Sequence, residues 1–231
     1  MNIRLLDLSH PISASMPHWP GDPQTRLTPV ASLQAEGYQL STLTIGEHSG
    51  THIGAPRHFD ETGTSVDQLS LERLIVPAVK LDVVRQAAAD CDYLMSEDDL
   101  RTLHPNPPAP GALLLVQTGW DRYWGEPARY LGVQDDGLHF PGISAAAVDY
   151  VAANWHIVGI GIDTAGIDGG QSTDFSSNRR CAQYGLYHLE NLTGLEQVGE
   201  RALVFIGAPA ITGGSGSPCR VIALLTQNTL E

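Results

Sequence analysis

The sequence predicts one α/β domain of mixed, α+β character, with many strands and few helices. Three observations predict it. Short apolar runs punctuated by glycine and proline recur through all 231 residues, helical spacing is confined to a few brief stretches, and no repeat, low-complexity block or composition shift marks a boundary within residues 1–231. With 42% hydrophobic and 17% charged residues the chain can bury a sizeable core.

Taken in order, Ile3–Leu8 reads as a strand, followed by a proline-rich loop containing Trp19-Pro20-Gly21-Asp22. Pro-Gly at the centre of that tetrapeptide fits a type II turn, which holds Trp19 in a fixed place. Tyr38–Ile45 alternates and predicts a strand running into His48. Ile75–Val84 and Gly111–Gln117 are strand-like, the second an almost continuous apolar run suited to a buried strand. Ser96 and Asp99 form a capping pair for a short helix over 97–103. Pro105–Pro110 reads as a loop, because apolar strands resume straight after it. Ser144–Trp155 has helical spacing with Ser144 as N-cap. A strand follows at Ile157–Asp163, then a glycine-rich loop to about Thr173, a helix near Ser176–Tyr184, and strands at Leu203–Gly207 and Val221–Leu225.

Charge narrows the function. There are 26 acidic residues against 13 basic ones, giving a net charge of −13, and no basic cluster is longer than Arg179-Arg180. Nucleic-acid binding needs a basic surface and is not expected. The start of the chain shows no basic-then-apolar leader, and no apolar run approaches the ~18 residues of a membrane span, so the expectation is a cytoplasmic protein without membrane contact. Cys91, Cys181 and Cys219 lie far apart with no CxxC, which gives neither a disulfide framework nor a zinc knuckle.

The densest polar segment is Glu47-His48-Ser49-Gly50-Thr51-His52-Ile53-Gly54-Ala55-Pro56-Arg57-His58, which holds three of the nine histidines. Imidazole is the commonest transition-metal ligand and a general base near neutral pH. Fully extended, His48 and His52 would stand about 13 Å apart. Sharing an ion through bonds of about 2.1 Å therefore requires the backbone to fold back between them, which Gly50 permits. Beyond His52, positions 52, 54, 56 and 58 would share one face of an extended stretch. Position 54 is glycine, so no side chain from it joins the histidines. Other signals are weaker. Gly159-x-Gly161 follows a strand, but Thr164 breaks a GxGxxG pattern. Gly213-Gly214-Ser215-Gly216-Ser217 lacks the last glycine of a nucleophile elbow and reads as a tight turn. Trp120, Tyr123, Trp124 and Tyr130 read as core or interface. Arg57 is a candidate carboxylate anchor and His139 a candidate pocket residue.

The run His48-x-Gly50-Thr51-His52-x-Gly54-x-Pro56-x-His58 resembles the signature H-x-G-T-H-x-D-x-P-x-H of the putative cyclase family, which includes bacterial kynurenine formamidase, isatin hydrolase and cyclases of antibiotic biosynthesis. Trp19-Pro20-Gly21-Asp22, Gly119-Trp120-Asp121-Arg122-Tyr123-Trp124, Phe140-Pro141-Gly142, Gly161-Ile162-Asp163-Thr164, Ser172-Thr173-Asp174-Phe175, Glu190-Asn191-Leu192 and Gly213-Gly214-Ser215-Gly216 resemble family segments in the same order. The resemblance covers about residues 3–226. It implies a swivelling β/β/α fold, a homodimer or higher homo-oligomer, and a metal centre. His48, His52 and Glu190 match ligands, His58 matches a proton carrier, and Trp19 matches a substrate contact. Two positions depart from the pattern. The motif aspartate is Gly54, and the family histidine twelve residues before Glu190 is Asn178.

Both departures fall on one centre, and they predict a site released from tight metal binding. On that expectation the protein is a small-molecule cyclase of natural-product, polyketide-like biosynthesis. It closes a ring in a carbonyl-rich substrate by acid/base catalysis from His58, His52, His48 and Glu190 and needs no cofactor. Glu190 then raises the pKa values of His48 and His52, Asn178 donates a hydrogen bond to developing negative charge, and Trp19, Arg57 and His139 contact substrate. The alternative is a hydrolase of a small cyclic or N-acyl amide or lactone that uses one zinc or manganese ion on His48, His52 and Glu190. A silent metabolite-binding member is the third reading.

Overall fold

The computed structural model describes residues 3–104 and 106–226. The first half of the chain forms β1 (Ile3–Asp7), β2 (Arg26–Ala31), α1 (Leu33–Glu36), β3 (Leu40–Thr44), β4 (His52–Gly54), β5 (Ile75–Asp82), α2 (Val84–Ala89), β6 (Leu94–Met95) and α3 (Glu97–Leu103). Then come β7 (Leu113–Gln117), α4 (Pro127–Tyr130), β8 (Gly142–Ile143), α5 (Ala145–Asn154) and β9 (Gly159–Ile162). The last elements are α6 (Ser176–Gln183), β10 (Tyr187–Glu190), β11 (Arg201–Gly207), β12 (Gly216–Pro218) and β13 (Arg220–Thr226).

Nine strands form one sheet in the order β1-β13-β11-β5-β7-β9-β10-β4-β12. Its centre, from β5 through β7 and β9 to β10, is parallel, and the strands on either side are antiparallel. Central parallel strands are buried on both faces, which is why β7 reads Leu-Leu-Leu-Val-Gln with every residue buried. Leu114, Val116, Ile160 and Ile162 pack on one face against Leu100 of α3, Val148 and Val151 of α5, and Trp155. The opposite face holds Leu113, Leu115 and Leu189, together with Leu6 from β1 and Ile53 from β4. Residues from near both ends of the strand order share that second cluster, so the sheet curls over it.

The capping predictions match the structure. Ser96 and Asp99 form a reciprocal capping box on α3, and Ser144 caps α5 by accepting from the Ala147 amide. The Trp19 turn is type II: the Asp22 amide donates to the Trp19 carbonyl at 3.1 Å, and Gly21 takes φ 93°. The Tyr38–Ile45 strand is β3, but it pairs only with β2 in a separate hairpin whose Leu27, Val30, Leu40 and Leu43 are exposed. The strand predicted over Ile75–Val84 ends at Asp82, where α2 begins. The loop predicted at Pro105–Pro110 is irregular from Asn106 onward, and Pro105 lies outside the described residues.

The two glycine signals resolve as packing. A Cβ on Gly159 would come within 2.4 Å of the Tyr187 ring, and one on Gly161 within 2.9 Å of Leu115. Both glycines admit large neighbours into the sheet. Trp120 and Tyr130 join Leu131 and Phe140 in a third core cluster, with Tyr123, Trp124 and Trp19 packed at its edge. All three cysteines are free, and no helix among the described residues is long and apolar enough to cross a membrane.

Candidate metal and catalytic site

Gly50 makes the predicted fold-back, with φ 63°. Asn191, itself in the left-handed region at φ 57°, clamps the turn. Its Nδ2 donates to the Gly50 carbonyl at 2.8 Å, its carbonyl accepts from Thr51 Oγ1 at 2.6 Å, and its Oδ1 lies 2.9 Å from the Tyr130 hydroxyl. The result is a His48–His52 ring separation of 5.1 Å. The shared extended face predicted through residue 58 stops short. Pro56 opens a single 3₁₀ turn over Pro56–His58, because its fixed φ suits the first position of a helix. That turn lays the His58 ring over His48, with centroids 3.7 Å apart.

The gap expected at Gly54 is filled from the neighbouring strand. In the β4–β10 pair, Gly54 faces His188 and His52 faces Glu190. A Cβ at position 54 would sit 1.9 Å from His188 Nε2, so the imidazole occupies the space where a side chain at 54 would begin. One donor atom from each of His48, His52 and His188 lies within 4.8 Å of the others. His188 was not singled out in the sequence. The available signal was its place two residues before Glu190 on an alternating strand, which puts both side chains on one face.

Hydrogen bonds set which nitrogen each motif histidine presents. Ser215 Oγ donates to Glu47 at 2.6 Å, so it can only accept from His48 Nε2 at 2.9 Å. His48 therefore carries its proton on Nε2, and its buried Nδ1 is left without a partner. His52 Nδ1 donates to the Gly50 carbonyl at 3.0 Å, which leaves the buried Nε2 bare. That bare nitrogen stands 3.2 Å from Glu190 Oε2, another acceptor. Two facing lone pairs call for a proton or a cation between them. A cation also serves His48 Nδ1 and His188, so the donor set fits a divalent ion of borderline softness. The serine in the predicted tight turn is thus an orienting group, a role the glycine pattern did not suggest.

Burial governs the titration of the cluster. It drives His48 far below the usual histidine value, and neighbouring His52, His58 and His188 push in the same direction. Burial takes His188 down to about 4 against the pull of Glu190. The rise expected for His48 beside Glu190 is therefore reversed. His58 is also lowered, by burial first and with Glu190 partly opposing. Burial raises the Glu190 carboxyl, but His188, His52 and the Ile167 amide outweigh it and hold the group at about 2.

His48, His58, His188 and Glu190 line a cavity of about 310 Å³ together with Trp19, Asp22, Phe59, Phe175 and Asn178, and His52 is buried behind it. Trp19 and Phe59 flank Phe175, with ring centroids 6.0 and 5.7 Å from it. Asn178 lines the cavity as expected, with one of its two amide N–H groups already committed. Asp168 takes its Nδ2 at 2.9 Å while capping α6 through the Ser177 and Asn178 amides. Two expected contacts lie elsewhere. Arg57 is exposed and donates to the Glu61 carbonyl, because the 3₁₀ turn points it away from His58. His139 is held outside the cavity between Asp92 and Asp136, at 2.9 and 3.0 Å.

Relatives share this arrangement of chain. An isatin hydrolase from Roseibium aggregatum is 29% identical over 218 residues, covering 89% of this chain and 82% of the relative. A kynurenine formamidase from Salinibacter ruber is 27% identical, covering 94% and 96%. The solved isatin hydrolase A from Ralstonia solanacearum superposes with a TM-score of 0.89 at 32% identity, over 97% of this chain and 92% of that one. The family described as Putative cyclase matches residues 6–169, and the chain belongs to that family.

Proposed function

We propose that the chain is a metal-dependent hydrolase that opens a small cyclic amide, N-acyl amide or lactone carried on a flat aromatic ring. The observation that carries this reading is the pair of bare, buried nitrogens on His48 and His52, each fixed by a hydrogen bond on its far side. Ring closure by these histidines alone, the role expected from the departures at 54 and 178, needs one of them protonated as the acid while another stays neutral as the base. Burial disfavours the protonated form of His48, and one ring nitrogen from each of His48, His52 and His188 lies within 4.8 Å of the others. The isatin hydrolases and kynurenine formamidases among the relatives support the hydrolytic alternative.

In this reading His48, His52 and His188 hold the ion, with the Glu190 carboxylate beside it. A divalent ion bound there supplies Lewis-acid polarisation of a carbonyl and an acidified water. Trp19, Phe59 and Phe175 position the substrate ring by apolar and edge contacts. His58 is neutral at physiological pH, because burial lowers its pKa, and it reaches solvent through the cavity. It can accept a proton from the attacking water and return it to the leaving nitrogen or oxygen. Glu190 stays ionised, anchored by the Ile167 amide at 3.0 Å, and holds a fixed negative charge opposite His52.

The test is hydrolysis of isatin and of an N-formyl arylamine by the zinc-loaded chain. Expected is ring opening or deformylation that a chelator abolishes and zinc restores. His58→Ala should lower kcat by about 10²–10⁴-fold while retaining its zinc. Turnover that ignores the chelator, or full activity in His58→Ala, contradicts the proposal.

A further inference from the structure

We infer that His188 holds the ligand position the family motif gives to a carboxylate at residue 54, exchanged across the β4–β10 pair. The bound ion would then rest on three imidazoles, with Glu190 the one carboxylate beside them. This inference rests on the metal-dependent reading above and goes beyond it by fixing the third ligand and the kind of ion.

Gly54 and His188 are direct cross-strand partners. At 1.9 Å from Nε2, a Cβ on residue 54 and the His188 ring exclude one another. Glycine at 54 is thus one half of a replacement and leaves no defect in the site. On the other side of β4, Gly216 faces Gly54, and a Cβ there would come within 2.5 Å of the His48 ring. Two glycines in adjacent strands make a cradle in which two imidazoles lie side by side. His188 is 3% exposed, with its Nε2 3.8 Å from Glu190 Oε1 and its ring 6.1–6.4 Å from those of His48, His52 and His58, so its buried polar ring faces the site.

The exchange changes the charge of the donor set. A carboxylate brings one negative charge and a hard oxygen, whereas a ligating imidazole brings a neutral nitrogen through its lone pair. Three imidazoles suit zinc or cobalt, whereas manganese prefers oxygen donors. With one carboxylate, Glu190, in place of two, the ion would also keep more of its positive charge toward a substrate carbonyl. The preference follows from the geometry: zinc is bound well ahead of manganese.

The test uses the full chain, stripped of metal and then given zinc chloride, manganese chloride or an equimolar mixture. Zinc occupancy near one per chain from the mixture, with histidine ring nitrogens of His48, His52 and His188 all shifting in the ¹⁵N–¹H spectrum, supports the inference. That spectrum needs no substitution, so it stands even if a variant folds poorly. His188→Ala should weaken zinc by at least about 100-fold, more than the loss of an outer-shell partner. Gly54→Asp with His188→Ala should recover binding and move the preference toward manganese. Zinc bound with only His48 and His52 shifting, or with equal affinity in His188→Ala, overturns the inference and leaves the metal-dependent reading standing. No ion bound by the parent chain under any of these conditions overturns both.

Discussion

At the scale of single residues, the site depends on groups that never touch substrate. Ser215 lies 167 positions from His48, yet it decides which nitrogen of that ring is bare, because its own proton is committed to Glu47. The Gly50 carbonyl does the same for His52 while also accepting from Asn191. Ser215→Ala removes the acceptor from His48 Nε2 and frees the ring to take either tautomer. The expected result is zinc affinity lowered by about 10–100-fold, read by competition with a chromophoric chelator, with the melting temperature nearly unchanged. Unaltered zinc affinity would show that the His48 tautomer does not matter to the ion. Asn178 is oriented in a similar way: Asp168 accepts from one of its two amide N–H groups, and its buried Oδ1 has no partner.

Among the elements, those with a strong local signal were legible, the Trp19 turn and α6 of the site included, and the short strands β4, β10 and β12 were not. The continuous apolar run of β7, the Ser96 and Ser144 caps and the Pro-Gly turn at Trp19 carry their structure in their own residues. β4, β10 and β12 are three or four residues long, and β4 and β10 are interrupted by His52, His188 and Glu190. No periodicity marks strands that short. Their pairing is also what lets His188 fill the space over Gly54, a fact about two strands that neither segment contains alone. The histidine motif was therefore visible, along with Glu190 and Trp19, while the third imidazole was not. Arg57 and His139 were misplaced because a 3₁₀ turn and a pair of aspartates redirect them. The packing glycines make a prediction at this scale. Gly159→Ala forces a methyl group against the Tyr187 ring at the junction of β9 and β10. It should cost about 1–3 kcal/mol of stability by denaturant titration. A variant as stable as the parent would show that the strands part more readily than the packing implies.

Over the whole molecule, the site is assembled from segments far apart in sequence. The Trp19 turn, the 48–58 loop, α6, β10 and Ser215 before β12 meet only because β10 lies between β9 and β4 in the curled sheet. The family fold supplies that meeting point, and the relatives that share it include isatin hydrolases and kynurenine formamidases. Within the frame, position 54 of this chain is glycine, and an imidazole from β10 takes the space where a side chain there would begin. The proposed hydrolysis requires an ion in that cluster, and the most direct measurement is metal content. The chain, purified without a histidine tag or chelator and then dialysed with zinc, should hold close to one zinc per chain by elemental analysis. A value near zero, unchanged after zinc is supplied, would contradict it and return His48, His52 and His58 to acid/base chemistry without a metal.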